Sequence, residues 1–134
     1  MLDHHSALIY TMVLASAADA GMGDAEGHII GDAVTHLPAF SGYDNKQLPK
    51  TLAACADLVQ KDDGLDLAIK EIKAALPPRL RETAYVLACE VIASDAEATQ
   101  AELRLLEMLR DRLSIDRLVA AAIERATRAR FMTI

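Results

Sequence analysis

Aromatic residues are scarce in this chain of 134 residues: it has no Trp, two Phe and three Tyr. A core must therefore be assembled from Leu, Ile, Val, Met and much Ala. Ala is the strongest helix former, and Ala-rich faces let helices approach closely. Long hydrophobic runs are also missing. The longest, Ala7 to Ala18, is interrupted by Thr11 and Ser16 and falls far short of the roughly 20 residues of a membrane span, so no membrane insertion is expected. No basic start followed by an apolar run and a cleavage site marks a signal peptide. There are only two cysteines, Cys55 and Cys89, and no CxxC pair. Each lies in an apolar helical pattern, which reads as two buried, reduced thiols of a cytoplasmic protein rather than a zinc finger or a thiol enzyme.

Basic charge is also short. Fourteen Lys and Arg stand against twenty Asp and Glu, for a net charge of -6, and a nucleic-acid partner would ask for a basic surface. The imbalance is uneven. From Gln100 to Ile134 there are seven Arg and five acidic residues; before Gln100 there are seven basic and fifteen acidic ones. Arg117, Arg125, Arg128 and Arg130 read as a solvated helix face. The apolar share of 52% and charged share of 25% are those of a folded domain rather than a disordered segment.

Strand signals are nearly absent, and helical periodicity runs almost throughout. The pattern predicts seven helices. The first spans Asp3 to Ala18, with Asp3 and Ser6 at its start, and is apolar on most sides. A second runs from Asp24 to Leu37, and a third from Asn45 to Gln60 with Pro49 in its first turn or at a junction. Asp62-Asp63-Gly64 is a turn, followed by a helix over Leu65 to Ala75. Pro77-Pro78 ends that helix and opens the next, Arg79 to Ala93, which is again apolar on most sides. Thr99 and Glu102 form a capping box for a helix reaching Leu113. A last helix, capped by Ser114, runs from Ile115 to Ala129. The expected architecture is all-α: one compact bundle of about seven helices, with two related halves over 3–64 and 65–134.

The halves are related by a short acidic turn. Ala17, Asp19, Ala20, Ala25 and Glu26 match Ala93, Asp95, Ala96, Ala101 and Glu102, each pair 76 positions apart. Ala is common here, so the weight rests on the Asp and the Glu. Asp19 and Asp95 fall at the C-terminal end of a buried helix, where the helix dipole disfavours a carboxylate by roughly 0.3–1 kcal/mol. Glu26 and Glu102 fall in the first turn of the next helix, where a carboxylate is favoured. Two such half-sites would offer four carboxylates to a hard cation. The same residues have an architectural reading: Asp starts turns by bonding its own backbone, and Glu102 is already the partner of Thr99. Asp24 and Glu97 share these turns. Glu90, a lone charge in an apolar helix, either lines the same pocket or, as the favoured reading, reaches the surface or pairs with an Arg such as Arg79 or Arg81. His4 and His5 read as surface residues, and His28 and His36 as surface or helix-end residues. No Glu-x-x-His di-iron motif is present, since positions 29 and 105 are Ile and Leu. Nor is there an EF-hand loop, a phosphate loop or a nucleophile–base pair.

These turns resemble those of the tellurite-resistance TerB family, whose motif of Ala-Asp-Gly followed by Glu occurs twice in an all-helical domain. The resemblance covers most of the chain and is strongest from Leu76 through Tyr85, Ala88 to Asp95 and Ala101 to Glu107. It implies an acidic pocket for a divalent cation and an association with tellurite and other stress responses, without catalysis. Carried over, the metal residues are Asp19, Glu26, Asp95 and Glu102, with Asp24, Glu90 and Glu97 as secondary candidates. The family glycine is Ala20 in one turn and Ala96 in the other; the first turn has Gly21 beside it and the second has no such substitute. The expectation is a non-enzymatic module binding Ca²⁺ or Mg²⁺ in preference to Zn²⁺. Its rival is an interaction or scaffold domain in which the turns are architectural and an outer apolar face (Phe40, Tyr43, Leu48, Phe131 and Met132) meets a protein partner or a second copy.

Overall fold

The computed structural model describes residues 2–18, 24–95 and 98–134, and of Asp24 the backbone alone. The described residues form seven α-helices and no strand. They are α1 (His4–Ala17), α2 (Asp24–His36), α3 (Leu48–Val59), α4 (Gly64–Ala75), α5 (Pro78–Ala93), α6 (Gln100–Arg112) and α7 (Arg117–Arg130), with short 3-10 turns at Pro38–Phe40 and Asn45–Gln47.

The two helices that are apolar on most sides occupy the centre. α1 is buried continuously from Ala7 to Ser16, and α5 packs along it. Burying polar groups on α1 is tolerated because they bond the helix itself. The Thr11 hydroxyl donates to the Ala7 carbonyl at 2.8 Å and Ser16 to Val13 at 2.9 Å. α3 and α4 pack on the α1 side, while α2, α6 and α7 pack on α5. The outer helices bury one stripe each, as amphipathic helices do. Leu105 and Leu109 on α6 and Ile69 and Ile72 on α4 are such residues.

Helix ends follow local chemistry. Asp3 caps α1 by accepting from the Ser6 N–H at 2.7 Å. Pro49 sits in the first turn of α3, and Pro78 opens α5. The expected third helix is divided: Asn45–Gln47 is a 3-10 turn and the α-helix begins at Leu48. Gly64 begins α4 where a Cβ would press on the backbone carbonyls of Leu58 and Val59, so the close approach requires glycine. The seventh helix departs from expectation. Its cap is Asp116, which accepts from the Leu118 and Val119 N–H groups, and not Ser114. Ser114 instead adopts left-handed angles (φ 58) just past α6. There the Ile115 N–H bonds the Arg110 carbonyl and the Ser114 N–H bonds that of Asp111, which closes α6 with a Schellman motif.

No described helix is long and apolar enough to cross a membrane. Of the proposed outer apolar face, Phe40 is buried, Tyr43, Leu48 and Phe131 are half-buried, and only Met132 is exposed. His5 is likewise no free surface residue. It is half-buried and stacks on Phe40 with ring centroids 5.7 Å apart.

Candidate metal centre

The C-terminal end of α5 meets the N-terminal ends of α6 and α2. Past Ala93, the Ser94 N–H bonds the Glu90 carbonyl and the Ser94 hydroxyl bonds that of Val91 at 2.6 Å. This leaves Asp95 exposed, just beyond the helix. The capping box at α6 forms as the sequence predicts: Glu102 N–H donates to Thr99 Oγ1 at 3.1 Å, and Thr99 N–H donates to Glu102 Oε1 at 2.8 Å. Glu102 is the third residue of α6, and Glu26 is the third residue of α2. Each carboxylate thus lies in the first turn of a helix, where the partial positive charge of the free N–H groups favours it.

Carboxylate oxygens of Glu26, Asp95 and Glu102 lie within 4.8 Å of one another. Two members are almost fully removed from water, Glu26 at 3% and Glu102 at 1% exposure. Unit charges about 5 Å apart repel by about 3 kcal/mol at an effective dielectric near 20, and burying a carboxylate adds a desolvation cost. The two helix N-termini offset part of this. Glu102 shows what is left over. Its Oε1 serves the capping box, but its Oε2 is buried with no hydrogen-bond partner among the described residues. Capping therefore explains one oxygen of this side chain and leaves the other. The donor set holds only carboxylates, without His or Cys. Such a set suits a hard cation better than a borderline-soft one.

Of the residues singled out in the sequence, Glu26, Asp95 and Glu102 come together from both halves. Asp19, Ala20, Ala96 and Glu97, and the side chain of Asp24, lie outside the described residues. Glu90 is not part of the cluster, and neither Arg79 nor Arg81 is its partner. It pairs with Arg130 Nε of α7 at 3.4 Å. Arg81 lies nine residues back on the same helix, roughly 13 Å away along the axis. It is spent on the end of α4, donating to the Leu76 carbonyl at 3.0 Å and the Lys73 carbonyl at 3.1 Å. His28 and His36 are exposed, and His36 pairs with Asp32 one turn back.

A second polar cluster escaped the sequence reading. The fully buried Tyr85 of α5 donates its hydroxyl to Glu124 Oε2 at 2.6 Å, and Arg110 Nη1 donates to the same oxygen at 3.0 Å. One signal was available: a Tyr in an apolar helix needs an acceptor for its hydroxyl. The acceptor, 39 residues away, was not foreseeable. Burial, reinforced by Glu124, holds the Tyr85 hydroxyl protonated well above its usual range. Cys89 beside it and Cys55 are free and buried, and burial pushes both thiols up to about 12. Neither offers a thiolate near neutral pH.

No family model, curated protein or solved structure matches the chain.

Proposed function

We propose that this protein is a non-enzymatic helical module that holds a divalent cation among Glu26, Asp95 and Glu102, with Asp19 as a fourth carboxylate from the matching turn. The observation that carries the reading is the buried second oxygen of Glu102, left without a partner inside a cluster of like charges. A cation there removes the repulsion and satisfies that oxygen at once. All-oxygen donors favour Ca²⁺, Mg²⁺ or Mn²⁺ over Zn²⁺. The resemblance of the turns to the TerB family supports the same ligands and suggests a role in tellurite or general stress responses.

The rival reading, a scaffold whose acidic turns are architectural, draws on the capping box. One variant separates them. Glu102→Gln keeps an acceptor for the Thr99 N–H, since Gln also serves at this position of a capping box, but removes the charge. If the site holds a cation, Ca²⁺, Mg²⁺ or Mn²⁺ raises the melting temperature of the wild type, and Glu102→Gln or Asp95→Asn abolishes that rise. Melting curves that coincide in metal and in chelator would refute the cation reading and leave the architectural one.

A further inference from the structure

α6 and α7 follow one another in the chain and both pack on α5, yet they touch each other little. The gap between them is a groove of about 920 Å³, floored by α5. Its surface is mainly apolar. Ile92 of α5 is the floor, Leu106 of α6 and Phe131 after α7 are the walls, and Leu103 and Met132 stand at the rim. Those two rim residues are 47% and 66% exposed.

The two ends of the groove differ. At one end, Arg110 of α6 bridges to Glu124 of α7, and the Tyr85 hydroxyl completes the pair from below. That end is polar, and its charges are paired with each other. At the other end lies Asp95, which lines the groove and also belongs to the carboxylate cluster. It is the exposed member, while Glu26 and Glu102 are buried. Asp95 is thus the one described member of the cluster that is both exposed and part of the groove. A hard cation takes six or more oxygens, more than the three described side chains supply as single donors, so it keeps positions for other oxygen ligands on its accessible side.

We propose that the groove takes a free amphipathic small molecule with an oxyanion head. Its apolar part lies along Ile92, Leu106 and Phe131, and its head meets the cation at Asp95. The inference rests on the cation reading above and adds the ligand class to it. The volume is that of a small-molecule site, commonly about 300–1,000 Å³ and apolar with a few placed polar groups. The Arg110–Glu124 bridge, which spans from α6 to α7 at one end, argues for a molecule of limited length rather than a through-running partner helix.

The test is calorimetric titration of the full chain with octanoate, in chelator and in saturating Mn²⁺, after Mn²⁺ binding has been measured alone. Octanoate is expected to bind at least tenfold more tightly with Mn²⁺ present, while acetate and octyltrimethylammonium gain no such increase. Leu106→Gln should weaken octanoate at least tenfold and leave Mn²⁺ affinity within twofold. The double variant Leu103→Gln/Met132→Gln, at exposed positions that the fold tolerates, should act in the same direction. Mn²⁺ binding without octanoate binding overturns this inference and spares the cation reading; absence of Mn²⁺ binding overturns both. Equal octanoate affinity with and without Mn²⁺, equal binding of the cationic amphiphile, or binding only to phosphatidylglycerol vesicles would each overturn it as well.

Discussion

Two clusters of ionisable side chains flank α5, and they handle charge beside a buried helix in opposite ways. In the Tyr85–Arg110–Glu124 cluster, Glu124 Oε2 receives both a hydroxyl and a guanidinium N–H. The carboxylate is opposed by a cation, and the buried hydroxyl has its acceptor. In the Glu26–Asp95–Glu102 cluster every member is an acceptor and every charge has the same sign, and Glu102 Oε2 has no donor among the described residues. The first cluster is complete within the chain and acts as a clasp between α5, α6 and α7. The second holds no positive charge among its three members, and the proposed cation would supply it from outside. Buried polar groups are normally satisfied, so the exception is the more informative of the two.

The comparison breaks most visibly under added cation. At a hundred times its dissociation constant, a ligand that binds only the folded state stabilises by about 2.7 kcal/mol. That gain should appear in denaturant melts of the wild type and vanish in Glu102→Gln. Glu124→Ala comes next in size. It strands the buried Tyr85 hydroxyl without an acceptor, at a cost of about 2 kcal/mol. Cation should neither rescue nor worsen that loss. Removing charge from the carboxylate cluster should act the other way. In chelator, Glu102→Gln should stabilise by about 1 kcal/mol, because it relieves repulsion between close carboxylates and keeps the cap. A loss of stability for Glu102→Gln in chelator would mean that the cluster is as self-sufficient as its neighbour.

The sequence exposed the second of these clusters more readily than the first. Apolar residues on nearly all sides of α1 and α5 marked them as central, because a helix buried all round has no polar face to show. Asp95 and Glu102 are only seven residues apart, and Glu26 belongs to the equivalent turn of the other half. Their convergence follows from packing the two central helices together. Spacing could not reveal partners set by helix packing across the bundle, such as Glu124 for Tyr85 or Arg130 for Glu90. The cap of α7 was misread for a different reason. Ser114 and Asp116 are both good N-caps, and the competition was decided by the C-terminal closure of α6, which draws Ser114 into left-handed angles.

That closure makes the two ends of α6 an internal control. Its N-terminal end carries Glu102 with a buried oxygen left over, whereas its C-terminal end satisfies its carbonyls through its own backbone. Ser114 bears a strain that glycine would not, since an L-residue in this conformation pays roughly 1 kcal/mol. Part of that gain is lost to the greater freedom of glycine in the unfolded chain. Ser114→Gly should thus raise stability by about 0.5 kcal/mol in chelator and in metal alike. A gain that depended on cation would couple the two ends of α6 and blur the contrast.

The smallest expected effect concerns His5, which shows how a buried ionisable group can settle without a ligand. Its Nε2 is buried without a hydrogen-bond partner among the described residues, much like Glu102 Oε2. A lone imidazole can shed its proton and become neutral. Burial, followed by the charge of His4, lowers its pKa below the ordinary 6.5, against the opposing pull of Asp3 and the carbonyls of Ala39 and Ser41. The folded state therefore prefers neutral His5. Its contribution is fully present above pH 6.5 and is lost as pH falls through the lowered value. Asp3, held low mainly by the Ser6 N–H, acts in the same direction but only below its ordinary 3.8. Melting temperature should thus fall between pH 7.5 and pH 5.5 in the wild type and fall less in His5→Phe, where Phe replaces an imidazole already stacked on Phe40. Equal slopes would place the pH dependence elsewhere, and cation saturation should leave the His5 contribution unchanged.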